Sequence, residues 1–178
     1  MASASLNSDP LTPSAAHDST AAGAAPFRIS ADGTWFYRGS AIQRPEMVRL
    51  FATVLRREAD GYMLVTPYER QAVDVDDAPF VAVAMRAEDK GVAQLVFTTN
   101  VEREVVLSPE HPLIVRGTVD EPRPYIVVEP GIEARIARPV YYELAALAVP
   151  RDVGGNSPLG VWSAGAFFPL EPPRGESR

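Results

Sequence analysis

The chain has 178 residues, of which 46% are hydrophobic and 22% charged, and its formal net charge is −6. That is enough apolar material for one domain or two small ones, and the excess of acid argues against bulk binding to nucleic acid or an anionic membrane. With no cysteine, disulfides, thiolate catalysis and cysteine-based metal sites are excluded, and the two histidines, His17 and His111, lack any spacing that could hold a transition metal.

Residues 1–25 are mostly Ala, Ser, Thr and Pro without a periodic apolar set, which predicts a disordered tail, and residues 171–178 read the same way. The first basic residue is Arg28, and Asp9 and Asp18 interrupt the tail, so these residues are not expected to act as an export signal. No stretch approaches the length of a membrane span, and a cytoplasmic location is expected.

From Phe27 the pattern becomes regular. FRIS and TWFYR, joined through Ala31-Asp32-Gly33, predict a hairpin, because Asp-Gly supplies the positive-φ turn and aromatics fill the return strand. Alternation sets Trp35 and Tyr37 on one face and Phe36 and Arg38 on the other. Pro45 then opens an amphipathic helix, PEMVRLFATVLRRE, with Met47, Leu50, Phe51 and Val54 at helical spacing. GYMLVTP and QAVDVDD follow as strands. FVAVAMR and VAQLVFT, around Glu88-Asp89-Lys90-Gly91, predict a second hairpin, and EVVL, LIVRGTV, YIVV and IEARIA are further short strands. A second helix is expected over VYYELAALAV, with Val140, Leu144 and Leu147 on one side, before a Gly- and Pro-rich loop and a last strand, VWSAGAFFPL.

Two stretches resemble each other. IQRPEMVRLF from Ile42 and IARPVYYELA from Ile136 share Ile-x-Arg-Pro and a leucine five residues after the proline, at an offset of 94. Each is followed by an apolar strand and Pro-x-Glu, at Pro67 to Glu69 and at Pro169 to Glu171. The expected architecture is therefore α+β with two similar halves, each a mainly antiparallel sheet with one helix, over residues 26–90 and 91–170.

Arg44 and Arg138 precede prolines, which disfavours helical geometry there, so both are expected just outside their helices. A cation at a helix start opposes the dipole. Three readings account for it: salt bridges to Glu69 and Glu171, capture of an anion jointly with the free helix N–H groups, or ordinary surface arginines. From Phe27 to Glu58 six arginines face only Asp32, Glu46 and Glu58, so this segment is locally positive. Trp35, Tyr37, Tyr141, Tyr142 and Trp162 could stack a planar ligand, or simply fill core.

Catalytic signals are thin. Asp74, Asp76 and Asp77 lack the glycine and distal Glu of a calcium loop. Gly154, Gly155 and Gly160 precede no Lys-Ser or Lys-Thr, so they form no phosphate loop, and Ser157 and Ser163 have no evident histidine base. No catalytic residue, metal ligand or cofactor is assigned.

Taken together, DGTWFYRGSAIQRP, VRLFATVLRRE-x-DGYMLVTP, DDAPFVAV, FTTN, VYYELA and GVWSAGAFFPL resemble the bacterial family labelled domain of unknown function 1285, from about Phe27 to Leu170. The resemblance implies a duplicated α+β core, a pleckstrin-homology-like C-terminal half, and a pocket between the halves for a nucleotide-like ligand in a signalling role. Carried over by position, its interface residues are Trp35, Tyr37, Arg38, Arg44, Asn100, Arg138 and Trp162. The expected function is a non-catalytic ligand-binding or sensory module for a small anion, with a signalling protein as a further expected partner. A carboxylate-based enzyme and a protein-interaction scaffold are the alternatives.

Overall fold

The computed structural model describes residues 25–152 and 157–172. The expected tails, 1–25 and 171–178, lie outside the described residues except for Ala25, Glu171 and Pro172.

The first half begins with β1 (Phe27–Ile29) and β2 (Trp35–Tyr37), the predicted hairpin, followed by the short β3 (Ser40–Ala41). Gly33 has φ 86°, as the turn requires. The Asp32 carboxylate accepts the Thr34 N–H at 3.0 Å and the Ser30 hydroxyl. These bonds, the Ser30 hydroxyl first, hold the Asp32 carboxyl below its ordinary range, at about 2. Phe27 lies opposite Tyr37 and Ile29 opposite Trp35, so these four share one face, while Phe36 and Arg28 meet on the other, as alternation predicts.

Helix α1 (Pro45–Val54) is shorter than its pattern suggests. LRRE, expected as its last turn, is instead β4 (Leu55–Glu58), paired antiparallel with β5 (Gly61–Val65). Leu55 explains the change. It is wholly buried opposite Leu64, so a core contact overrides helical propensity there. The Arg56 guanidinium donates to the Thr53 and Leu55 carbonyls, satisfying groups that the ending helix leaves open. The helix is also rotated from expectation. Val48, Phe51 and Ala52 pack on the core, whereas Met47 and Leu50 are 40% and 63% exposed. β6 (Arg70–Val75) closes this half.

The second half contains β7 (Phe80–Asp89), β8 (Ala93–Thr99), β9 (Glu104–Val106), β10 (Leu113–Gly117), β11 (Pro122–Glu129) and β12 (Ile132–Ile136). Helix α2 (Arg138–Ala146) and a three-stranded sheet, β13 (Val149–Pro150), β14 (Leu159–Ser163) and β15 (Ala166–Pro169), complete the chain. The two six-stranded sheets share one plan. Their orders are β3-β2-β1-β6-β5-β4 and, read from the other edge, β9-β8-β7-β12-β11-β10. Each joins two antiparallel meanders through one central parallel pair, β1 with β6 and β7 with β12. The halves are thus similar mixed sheets with one helix apiece. The helices enter at different points, α1 between the meanders of the first sheet and α2 after both meanders of the second.

The repeat seen in the sequence needs one correction. VWSAGAFFPL, expected as a single strand, is two, because Ala164 and Gly165 adopt φ 49° and 76° and reverse the chain. Pro67 therefore follows the second strand after its helix, and Pro169 ends the third. The point between residues 90 and 91 lies in the turn of the β7–β8 hairpin, while the passage from the first sheet to the second runs through residues 76–79.

One core joins everything. Phe27, Ile29, Trp35, Leu55 and Leu64 from the first sheet share it with Phe80, Phe97, Ile126 and Ile136 from the second, with Leu144 of α2 and with Phe168 of the last sheet. Buried Ser163 ties that last sheet to β8: its hydroxyl accepts the Leu95 N–H at 2.9 Å and donates to the Leu107 carbonyl at 2.6 Å. Among the described residues no helix is long and apolar enough to cross a membrane.

Candidate functional site

The two six-stranded sheets meet along a seam made at three places. At the first, Asn100, in the β8–β9 turn, receives the Val81 N–H at its Oδ1 (3.0 Å) and donates Nδ2 to the Gly33 carbonyl (3.1 Å). A β-carbon at Gly33 would stand 2.6 Å from Asn100 Nδ2, so that close approach needs glycine. Two residues on, Glu102 pairs with Arg49 of α1 at 2.6 Å. Asn100 is thus occupied in joining the halves.

At the second place the connecting segment is pinned by the Tyr125 hydroxyl, which donates to Asp77 Oδ1 at 2.7 Å. Burial, and then the bond to Asp77, raise the Tyr125 phenol above its ordinary value. Arg135 stands 3.6 Å from the other Asp77 oxygen. Arg116 covers the Tyr125 ring at 4.5 Å and forks onto Glu133 with two bonds of 2.6 and 2.7 Å.

At the third, Arg57 of β4 crosses the seam. Its guanidinium lies 4.6 Å over the Tyr62 ring, and its stem lies against Gly131 in the β11–β12 turn, where a β-carbon would come within 2.7 Å of it. Burial raises the Tyr62 phenol; the charges of Arg57, Glu133, Arg116 and Asp77 also act on it, which sets this ring beside the second cluster.

The charges in the seam are not all answered. Arg116 has Glu133 and Arg135 has Asp77, whereas Arg57 has no carboxylate partner among the described residues. Both carboxylates are held by a cation or a phenol. Sequence reading singled out none of these groups as a site. Tyr125 and Asp77 are 48 positions apart, and Arg57 was expected on a helix; the only signal was the excess of arginine before Glu58.

The sequence-predicted residues are spread over four places, and of them Asn100 lies in the seam. Trp35 is 1% exposed and stacks on Phe51 at 6.3 Å, which makes it core. Tyr37 and Arg38 lie at the rim of the same face, the guanidinium 5.3 Å over the ring. Arg44 is the N-cap of α1, exposed and without a side-chain cap bond. Arg138, expected outside α2, is its first residue, with Ala137 as N-cap. The salt bridges considered for these arginines do not form: neither Arg44 nor Arg138 is in an ion pair among the described residues, and Glu69 accepts instead from Gln71 at 2.9 Å. Trp162 is on the outer face of the last sheet with Arg151 (5.1 Å) and Phe167 (5.4 Å). An apolar cleft of about 170 Å³ lies between α2 and the last sheet, lined by Tyr141, Ala145, Leu159 and Leu170, with Val119 and Glu171 at its edge. None of the seven lines it. Among the described residues no group of three or more His, Asp or Glu is placed to hold a metal ion.

Comparison with known proteins agrees with the sheet plan. Residues 12–78 match the N-terminal domain, and residues 79–170 the C-terminal domain, of a family described as of unknown function, DUF1285. Two crystal structures are similar to the chain. A DUF1285 family protein from Silicibacter pomeroyi is 43% identical over 83% of this chain and 80% of its own, with a TM-score of 0.74. Another from Shewanella baltica is 28% identical over 67% of this chain and 89% of its own, with a TM-score of 0.54. No curated protein matches the chain. The family boundary at 78/79 coincides with the segment between the two sheets that Tyr125 pins.

Proposed function

Since the chain belongs to the DUF1285 family, we propose that it is a non-catalytic binding module of bacterial signal transduction, in which a small anion of the nucleotide class bridges the two halves. The observation that carries this reading is Arg57 at the seam, whose guanidinium lies over Tyr62 of its own sheet and whose stem lies against Gly131 of the other, with no carboxylate partner among the described residues. A fixed, planar, permanently charged fork suits a phosphate oxygen pair. Binding there would draw both sheets together, which is what a sensor needs in order to couple occupancy to shape. The pleckstrin-homology-like character of the C-terminal half belongs to the same proposal, supported by α2 following the last strand of its six-stranded sheet. So does a cytoplasmic setting, supported by the acidic, cysteine-free composition.

The test is isothermal titration of the full chain with a panel of nucleoside mono-, di- and triphosphates and with inorganic phosphate. At least one nucleotide is expected to bind, with affinity falling about tenfold or more in Arg57→Ala, the loss of a charge-assisted fork, and little changed in Arg44→Ala. Binding of inorganic phosphate alone would reduce the ligand to a simple oxyanion. A panel without binding, or binding indifferent to Arg57→Ala, overturns the reading.

A further inference from the structure

We propose that the outer side of helix α1 is a docking surface for an acidic, amphipathic segment of a partner protein. The starting point is a helix that is amphipathic yet only half used. Val48, Phe51 and Ala52 meet the core, but no α1 residue is fully buried, and Met47 and Leu50 remain 40% and 63% exposed. These two are three residues apart on one helical side, and Met47 is one turn before Phe51. Phe51 touches Phe27 at 5.1 Å, and Phe27 touches Tyr37 at 4.8 Å, itself 40% exposed. Exposed Tyr37 at the sheet rim is thus linked through the buried Phe27 to Phe51, one turn after exposed Met47 on the helix.

The border of this surface is cationic. Arg38 covers Tyr37, Arg44 caps the helix start and Arg56 closes the helix end, and none of the three pairs with a carboxylate among the described residues. Arg28 and Arg49, in the same stretch, are already matched by Asp76 and Glu102. Glu46 is the only acid on α1. An occupant must therefore bring apolar side chains for Tyr37, Met47 and Leu50 and carboxylates for the three arginines, the helix-in-groove mode of recognition with acidic flanks. A second copy of this chain fits poorly, because a two-fold contact would set arginines against arginines. An anionic bilayer fits poorly too, because the whole chain carries −6.

Fluorescence anisotropy on the full chain distinguishes these occupants. The probe is a labelled amphipathic peptide with leucines at helical spacing flanked by glutamates; its lysine-for-glutamate counterpart and phosphatidylglycerol vesicles are the comparisons. The glutamate peptide is expected to bind saturably, and to lose about tenfold or more in affinity to the Leu50→Glu protein, the effect of removing an anchor residue. Reversing Arg38 and Arg44 to glutamate together is expected to transfer preference to the lysine peptide, a gain that unfolding cannot mimic. Met47→Glu repeats the anchor test should Leu50→Glu fail to fold. No saturable binding, binding unaffected by these changes, preference for vesicles, or self-association abolished by Leu50→Glu would each overturn the proposal.

Discussion

The two helices start from nearly the same words and end up in different work. α1 and α2 both follow a strand through Ile-x-Arg-Pro, and both carry a leucine five residues after the proline. In α2 that leucine, Leu144, is wholly buried; in α1 its counterpart, Leu50, is mostly in water. The difference comes from what each helix lies on. α2 follows a completed six-stranded sheet and packs against both β7 and β14, with Val140 and Leu144 buried. α1 interrupts its sheet between two meanders, meets that sheet through β5 and reaches the second half through the Arg49–Glu102 pair, with no residue fully buried. A shared sequence motif thus fixes where a helix begins, while the surrounding layers decide which of its faces is buried.

The sharpest way to break this comparison is to shorten the two leucines in turn. Leu144→Ala should cost about 2–5 kcal/mol, the range for emptying a packed core position, and Leu50→Ala should stay within about 0.5 kcal/mol, as for an exposed site. Urea denaturation of both variants checks it; equal losses would mean that α1 is packed as tightly as α2. Next in size is the joint between the halves. Asn100→Ala leaves the Val81 N–H and the Gly33 carbonyl without their partner, at a cost of about 1–3 kcal/mol. It should also broaden thermal unfolding, monitored by calorimetry, as the sheets lose their coupling.

These outcomes bear on what could be read beforehand. The first hairpin was legible because Asp32-Gly33 forces a turn and alternation sets Trp35 and Tyr37 on one face, and the start of α1 was legible because proline leaves little choice, whereas α2 begins earlier than expected, at Arg138. The end of α1 was not, since LRRE has good helical propensity and only Leu64, on another strand, makes Leu55 extended. The turn at Ala164-Gly165 was equally hidden within an apolar run. Apart from Asn100, which the resemblance supplied, the seam was beyond reach for a simpler reason. Local patterns report on neighbours a few residues away, and Asp77 with Tyr125, or Arg57 with Gly131, meet only through the sheet order.

The smallest expected effect separates the first hairpin from the rest of its sheet. The Asp32 carboxyl is held down to about 2 in the fold, so its stabilising contribution is present above the ordinary carboxylate range and is lost as the pH falls through about 2. Melting curves of the wild-type protein and Asp32→Asn should therefore differ near neutrality and converge in strong acid. A constant difference across that window would assign the effect to the turn itself and not to its charge.

The central parallel pairs have a consequence for how the protein is made. β1 cannot meet its neighbour β6 until Val75 has been synthesised, and β7 must wait in the same way for Ile136. Hairpins within each meander can form early from local contacts, but each sheet closes only when its last strand returns to its first, a step that carries the entropy of a long loop. On the ribosome the N-terminal sheet would close first, leaving β7 for a time with one side unpaired. Sheet closure, set by the strand order itself, is then the slow event in each half.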